Sequence, residues 1–404
     1  MRTVELFEPL RGEAITRAPD PIMSPPLWDL GHIAAYEELW LVRRLGGRDA
    51  LHPELDAVYD AFETPRAVRG DAPLLEEGEC RAFLGEVRER ALAVLAGADL
   101  DPGADPLTAN GFAFDLVAVH EAQHTETVLQ AMQMLPAGGY APPRDREPHG
   151  RARDEGPSWI DVAGGDLVLG AGEAERFAYD CERPAHVRAL SPFRIARRAV
   201  TEAEWAEFVR DGGYEREGLW SEEGREWRRE VGATAPAYWS PDGEGGWLVR
   251  RYERVEPVRE DVSVCHVSAH EADAFARWAG ARLPSEAEWE AAARASAATD
   301  APAELDQLAF GPGGGAPNDD GCEGMIGDVW EWTSSGFEGY PGFRAFPYRE
   351  YAEVFFGGPY RVLRGGSWAT QPHAVSETFR NWDLPRRRQI FAGVRLARDA
   401  EGAA

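Results

Sequence analysis

The sequence predicts a two-part chain, a helical bundle over residues 1–141 followed by an α+β domain over 158–404, joined by a linker at 142–157. Three observations carry this. Apolar residues in the first part recur at helical spacing between recognisable stop signals. The segment Pro142-Pro143-Arg-Asp-Arg-Glu-Pro148 and the charged residues after it have no apolar period and read as a linker. Beyond it the texture changes to Gly, Trp and short apolar runs interrupted by short helices.

In chain order, a first helix is expected near Val4–Thr16. A second has Ser24 as N-cap and Pro25 in its first turn, and stops at Gly46-Gly47. A third covers about Gly78–Leu95, with Phe83, Leu84, Val87, Leu92 and Leu95 as its apolar residues. The fourth runs from Asn110 to Leu135 with Phe112, Leu116, Val119, Val128 and Met132. Four such helices make a bundle, in which metal sites are built from inward-facing side chains. In the second part, capping boxes at Thr201–Glu204, Ser268–Glu271 and Ser285–Glu288 announce three helices. Thr201-Glu-Ala-Glu-Trp205 is echoed by Ser285-Glu-Ala-Glu-Trp289, but without a fixed period, so this is reuse of a helix start and no repeat array.

The formal charge of −27 argues against nucleic acid and anionic membranes as partners, because both select clustered Lys and Arg. The four cysteines (Cys80, Cys181, Cys265, Cys322) are widely separated, which suggests reduced thiols and a cytoplasmic location. No signal peptide or membrane span is expected, and the composition favours a monomer.

The fourth helix contains His120-Glu-Ala-Gln-His124. Residues four apart share a helix face, so the two imidazoles can bind one divalent ion. A single helical His is more often packed than ligating; the paired spacing shifts the balance toward a metal. The string also matches the HExxH of zinc proteases. A third His six residues on is missing, since that position is Gln130, and beyond the helix the chain turns into linker with Glu147 the only nearby glutamate. The protease reading is therefore set aside. His32, inside the second helix, is the natural third ligand because a bundle brings that helix beside the fourth. Three His with open positions suit Fe(II) and O2; on ligand type alone, Zn2+ with a water is equally legal.

Ser24-Pro-Pro-Leu-Trp-Asp-Leu-Gly-His32, Glu37-Glu-Leu-Trp40 and His120-Glu-Ala-Gln-His124 resemble a DinB-type four-helix metal bundle. Leu283-Pro-Ser-Glu-Ala-Glu-Trp-Glu290, Gly327-Asp-Val-Trp-Glu-Trp-Thr333 and Arg364-Gly-Gly-Ser-Trp368 resemble the formylglycine-generating-enzyme domain, a C-type-lectin-like fold. Together, and with Asn381-Trp-Asp-Leu-Pro-Arg-Arg-Arg-Gln-Ile-Phe391, the chain is similar to the sulfoxide synthase (EgtB, hercynine oxygenase) family of ergothioneine biosynthesis. The resemblance implies Fe(II) on His32, His120 and His124, and O2, hercynine and γ-glutamylcysteine as substrates joined through a C–S bond. A cysteine or selenium donor, as in selenoneine synthase, is the alternative on the same iron site. A noncatalytic metal-binding or lectin-like module is the second alternative. Formylglycine generation is not expected, since no cysteine lies between Arg364 and Arg395.

The resemblance also assigns roles. Asp383 and Arg387 match positions that grip the thiol donor, with Arg66 preferred to Arg69 as a third grip. Gln123, Tyr351, Asn381 and Trp382 are candidates for hercynine, whose trimethylammonium favours aromatic faces. Tyr348 is the expected proton donor and Tyr340 the fallback. Trp330–Trp332 and Arg364–Trp368 read as structural, and Asp328 with nearby carbonyls is a candidate for a structural Ca2+.

Overall fold

The computed structural model describes residues 2–142, 159–173, 175, 177–296, 310–313 and 321–400; the expected linker lies, but for Pro142 at its edge, outside them. The chain forms two compact units, Met1–Pro143 and Arg144–Ala404. Among the described residues no helix is long and apolar enough to cross a membrane.

The first unit contains α1 (Arg2–Phe7), α2 (Glu13–Thr16), α3 (Pro26–Glu37), α4 (Glu77–Gly97) and α5 (Phe112–Met134). The single helix expected near Val4–Thr16 is two short ones. Pro9 cannot continue a helix, and Gly12 adopts φ +57. Ser24 is not the N-cap of α3: Pro25 takes that place, Pro26 opens the first turn, and Ser24 Oγ accepts from Arg69 Nη1 at 2.7 Å. After Glu37 the helix widens into a π-helical stretch, Glu38–Leu45, capped by Gly46. Asn110 and Gly111 both adopt left-handed φ, which turns the chain sharply into α5. Leu30, Ile33, Leu84, Val87, Leu116, Val119, Val128 and Leu129 are buried where the helices meet. Leu92 and Leu95, counted above as part of the apolar face of α4, are exposed instead, at 56% and 38%.

The second unit is α+β. Strands Trp330–Gly336 and Arg361–Arg364 pair antiparallel at the centre of a four-stranded sheet; Asn381–Asp383 flanks one side and Ala392–Gly393 the other. Two three-stranded sheets and a two-stranded one complete it. All three capping boxes form, starting helices Glu202–Arg210, Ala269–Trp278 and Glu286–Ser296. A further helix, Glu222–Val231, capped by Ser221, was not anticipated because its polar face dominates the stretch. The second unit buries Trp289 and Trp332 together with the fully buried pair Arg395–Glu331 at 2.8 Å. Trp289 Nε1 also donates to Glu331 at 2.6 Å, so the carboxylate is satisfied on several sides.

Candidate metal centre and an aromatic–ionic cluster

On α3, Trp28, His32 and Tyr36 follow at intervals of four and so share a face; on α5, His120 and His124 do the same. The structure brings His32, His120 and His124 together, with one ligand atom of each lying within 4.8 Å of the others. His32 Nε2 and His120 Nε2 are 3.2 Å apart. Two nitrogens each about 2.1 Å from one ion, at right to tetrahedral angles, sit roughly 3.0–3.4 Å apart, so this spacing fits a shared coordination sphere.

The ring atoms that turn away from this centre are held. His32 Nδ1 meets the Tyr59 carbonyl at 2.6 Å, and Trp28 Nε1 donates to the preceding carbonyl, Val58, at 2.8 Å. Trp28 stacks on His32 and Tyr36 stacks on His120, at centroid distances of 4.5 and 3.6 Å. His124 Nδ1 meets Asp29 Oδ1 at 2.9 Å. With Nδ1 of His32 and His124 committed as donors, their Nε2 lone pairs remain for a metal. Burial, and then the charge of His124, push His32 and His120 well below their usual pKa and keep them neutral. Three converging imidazoles suit a divalent transition ion such as Fe(II).

Glu121 is turned elsewhere. It accepts from Thr3 Oγ1 and pairs with Arg88 Nη2 at 2.7 Å, while Arg88 Nε pairs with Glu37 at 2.7 Å. Those ties fix α1, α3 and α5 to α4, and Glu121 is occupied as a brace. Gln123 is half-buried on α5. Arg66 is exposed and donates to the Ile22 carbonyl at 3.2 Å. Arg69 is buried over the Trp28 ring at 3.5 Å and donates to the Thr64 carbonyl and Ser24 Oγ.

In the second unit, Trp382 stacks on Phe337 at 4.0 Å and meets the edge of Tyr351 at 5.6 Å. Tyr351 stacks on Tyr179 at 3.8 Å, and Tyr348 crosses Tyr351 at 6.4 Å. Tyr348, Tyr351 and Trp382 therefore belong to one aromatic cluster. Asn381 Oδ1 accepts from the Trp382 amide at 2.8 Å. Tyr179 was not singled out from sequence; burial, then Tyr351 and Tyr348, raise its pKa well above the usual value. Its neighbour Asp180 accepts from the Phe346 amide at 3.0 Å, pinning the loop that carries Tyr348, and burial pushes it up to about 6. Tyr340 is half-buried, with the Arg380 guanidinium 4.1 Å over its ring and His186 beside it.

Beyond Trp382 a turn closed by Arg387 N donating to Leu384 O sets Arg387 Nε 3.7 Å from Asp383 Oδ1. Asp328 is buried; Ser263 Oγ donates to Oδ2 at 2.6 Å and the Gly313 amide to Oδ1 at 3.0 Å. A cation at Asp328 would compete with both donors.

Two family profiles match the chain: the DinB superfamily over residues 1–128, and the sulfatase-modifying factor enzyme 1-like domain over 144–400. A hercynine oxygenase of Mycolicibacterium smegmatis is 44% identical over 428 residues, spanning 98% of this chain and 96% of its own. That of Mycobacterium tuberculosis is 45% identical, spanning 94% and 92%. The chain belongs to the hercynine oxygenase family. A formylglycine-generating enzyme of Streptomyces coelicolor is 31% identical over 60% of this chain and 89% of its own. That likeness is confined to part of the chain, whereas the hercynine oxygenases match both the histidine-bearing bundle and the second unit.

Proposed function

We propose that this hercynine oxygenase-family chain is a non-haem Fe(II)- and O2-dependent sulfoxide synthase joining γ-glutamylcysteine to hercynine. One observation carries the reading: three imidazoles, two of them anchored through Nδ1, converge in a chain of this family. His32, His120 and His124 would hold the iron, which supplies open positions for substrate and the redox capacity to use O2. The overall reaction breaks the imidazole C–H and the thiol S–H and forms C–S and S=O bonds. One oxygen atom enters the sulfoxide, and the other leaves as water with the two hydrogens.

The chain's own groups divide the remaining work. Asp383 binds the donor's ammonium, and Arg387 and Arg66 bind its carboxylates. Trp382, Tyr351, Asn381 and Gln123 receive hercynine, the aromatic faces taking its trimethylammonium. Tyr348 gives a proton during turnover, a role a phenol can fill without a charged resting state.

The test is anaerobic loading with Fe(II), addition of hercynine and γ-glutamylcysteine, then air, with products identified by mass. A sulfoxide conjugate is expected. Folded, iron-loaded protein that consumes no O2 with both substrates present would refute the reading, and tight Zn2+ binding without turnover would point to a noncatalytic module. Running cysteine and a selenosugar beside γ-glutamylcysteine identifies the donor. Tyr348→Phe should lower kcat at least tenfold while leaving both KM values within about twofold; an unchanged kcat removes Tyr348 from the proton step.

A further inference from the structure

Asp383 Oδ1 accepts from the Leu384 amide at 2.7 Å, yet two buried polar atoms beside this carboxylate have no hydrogen-bond partner among the described residues. Gln389 is buried at 5% exposure, and its Nε2 reaches Asp383 Oδ2 at only 3.4 Å. Because the carboxylate can only accept, the amide nitrogen must face it, and Gln389 Oε1 is left pointing elsewhere. Among the described residues that oxygen has no hydrogen-bond partner, and neither does the buried Arg387 Nε. Native proteins pair nearly all buried polar atoms, so an orphan acceptor and an orphan donor beside one carboxylate call for a missing partner. A single partner serving both atoms would offer a donor to Gln389 and an acceptor to Arg387. A zwitterionic amino-acid head does both, the ammonium serving Asp383 and Gln389 and the carboxylate serving Arg387.

We infer that Gln389 is a specificity residue of the thiol-donor site, its Oε1 accepting from the α-ammonium of an amino-acid-type donor. The inference rests on the reading above that Asp383 and Arg387 bind the donor. Gln389 adds selection for ammonium-bearing thiols over equally acidic ones that lack the amine.

The probes are γ-glutamylcysteine and glutarylcysteine, which shares its skeleton but has no α-ammonium. Both are titrated calorimetrically into the full Fe(II)-loaded chain without O2. The wild type should prefer γ-glutamylcysteine by tenfold or more. Gln389→Met, of similar volume but unable to accept strongly, should cut that preference about tenfold, with hercynine affinity and Tm unchanged. Gln389→Asn, which keeps the amide but shortens its reach, should fall between and serves if the Met variant does not fold. An unaltered preference in both variants overturns the inference, as does parallel weakening of both thiols and hercynine. Asp383→Asn separates the two levels. If it lowers the preference and Gln389→Met does not, only the Gln389 assignment falls; if neither does, or the wild type binds neither thiol, the donor reading falls with it.

Discussion

Single residues decide how firmly the histidine centre is built. His124 is held by a carboxylate, His32 by a carbonyl, and the carboxylate makes the stronger acceptor and the more electron-rich ligand. Asp29 is 1% exposed, and its Oδ2 has no hydrogen-bond partner among the described residues, so its charge acts on His124 at close range. Asp29→Asn keeps an acceptor but removes that charge; Fe(II) or Co(II) affinity measured by chelator competition should drop about 10–100-fold. Equal affinity would assign Asp29 to packing alone. Asp29 was legible only as a carboxylate one turn before His32; its partner is remote in sequence, so spacing could not reveal the bond. Tyr59 and Tyr179 escaped for the same reason, since their contacts depend on loops. A different residue governs pH. Glu182, raised to about 7 by burial, has its folded pKa above the unfolded value of 4.5. Its stabilising contribution is therefore complete below about 4.5 and lost as pH rises through 7. Wild type should lose roughly 3 kcal/mol over that window through this group, and Glu182→Gln should flatten that part of the stability curve in denaturant titrations. Parallel curves would show that Glu182 does not titrate in this range.

At the scale of elements, α3 does more than supply His32 to the histidine cluster. It carries Trp28, Asp29, His32 and Tyr36, and its Gly31 lets the Tyr59 ring lie directly on the helix. A Cβ at Gly31 would stand 2.3 Å from Tyr59 Cε1, far inside contact distance. Tyr59 is fixed at its far end by the Leu75 amide donating to its hydroxyl at 3.0 Å, and its carbonyl orients His32. Gly31→Ala should cost about 1–3 kcal/mol, more than helix propensity would return, and should weaken metal binding together with Tm. A rise in Tm would mean that Tyr59 can move without disturbing the helix. The helix α3 was legible because its apolar period and proline start agreed, and α4 and α5 were legible from apolar period, which overcounted Leu92 and Leu95 on α4. The first was misjudged because its apolar residues continue in phase across Pro9 and Gly12, where the backbone does not. The capping boxes of the second unit were readable for the opposite reason: each is a local, reciprocal pair of hydrogen bonds that needs no tertiary information. The sheets were not, since pairings such as Trp382 with Val362 depend on the turn chemistry between them.

Across the whole molecule, the charge of −27 competes with many ion pairs, and the two respond oppositely to salt. Net self-repulsion weakens the folded state at low ionic strength and is screened over about 10 Å at 0.1 M. Ion pairs lose strength under the same screening, but the ones that matter here are shielded from it: Arg395–Glu331 and Arg364–Glu290 are almost wholly buried. Exposed pairs such as Arg17–Glu13 and Arg386–Glu230 contribute little at any salt concentration. Repulsion should therefore dominate the response. Raising NaCl from about 20 to 300 mM should lift Tm by a few degrees in scanning calorimetry, the screening length falling from roughly 20 Å to below 8 Å. A fall in Tm over that range would place the balance with the surface pairs. Under the function proposed above the same acidity bears on the donor, because a net-negative thiol would approach a negative protein and would depend on local cations such as Arg387 and Arg66. Raising salt should accordingly lower the donor's KM up to moderate ionic strength, before screening of the pocket's own arginines reverses the trend. A KM that only climbs with salt would mean that the local cations outweigh the overall charge from the start.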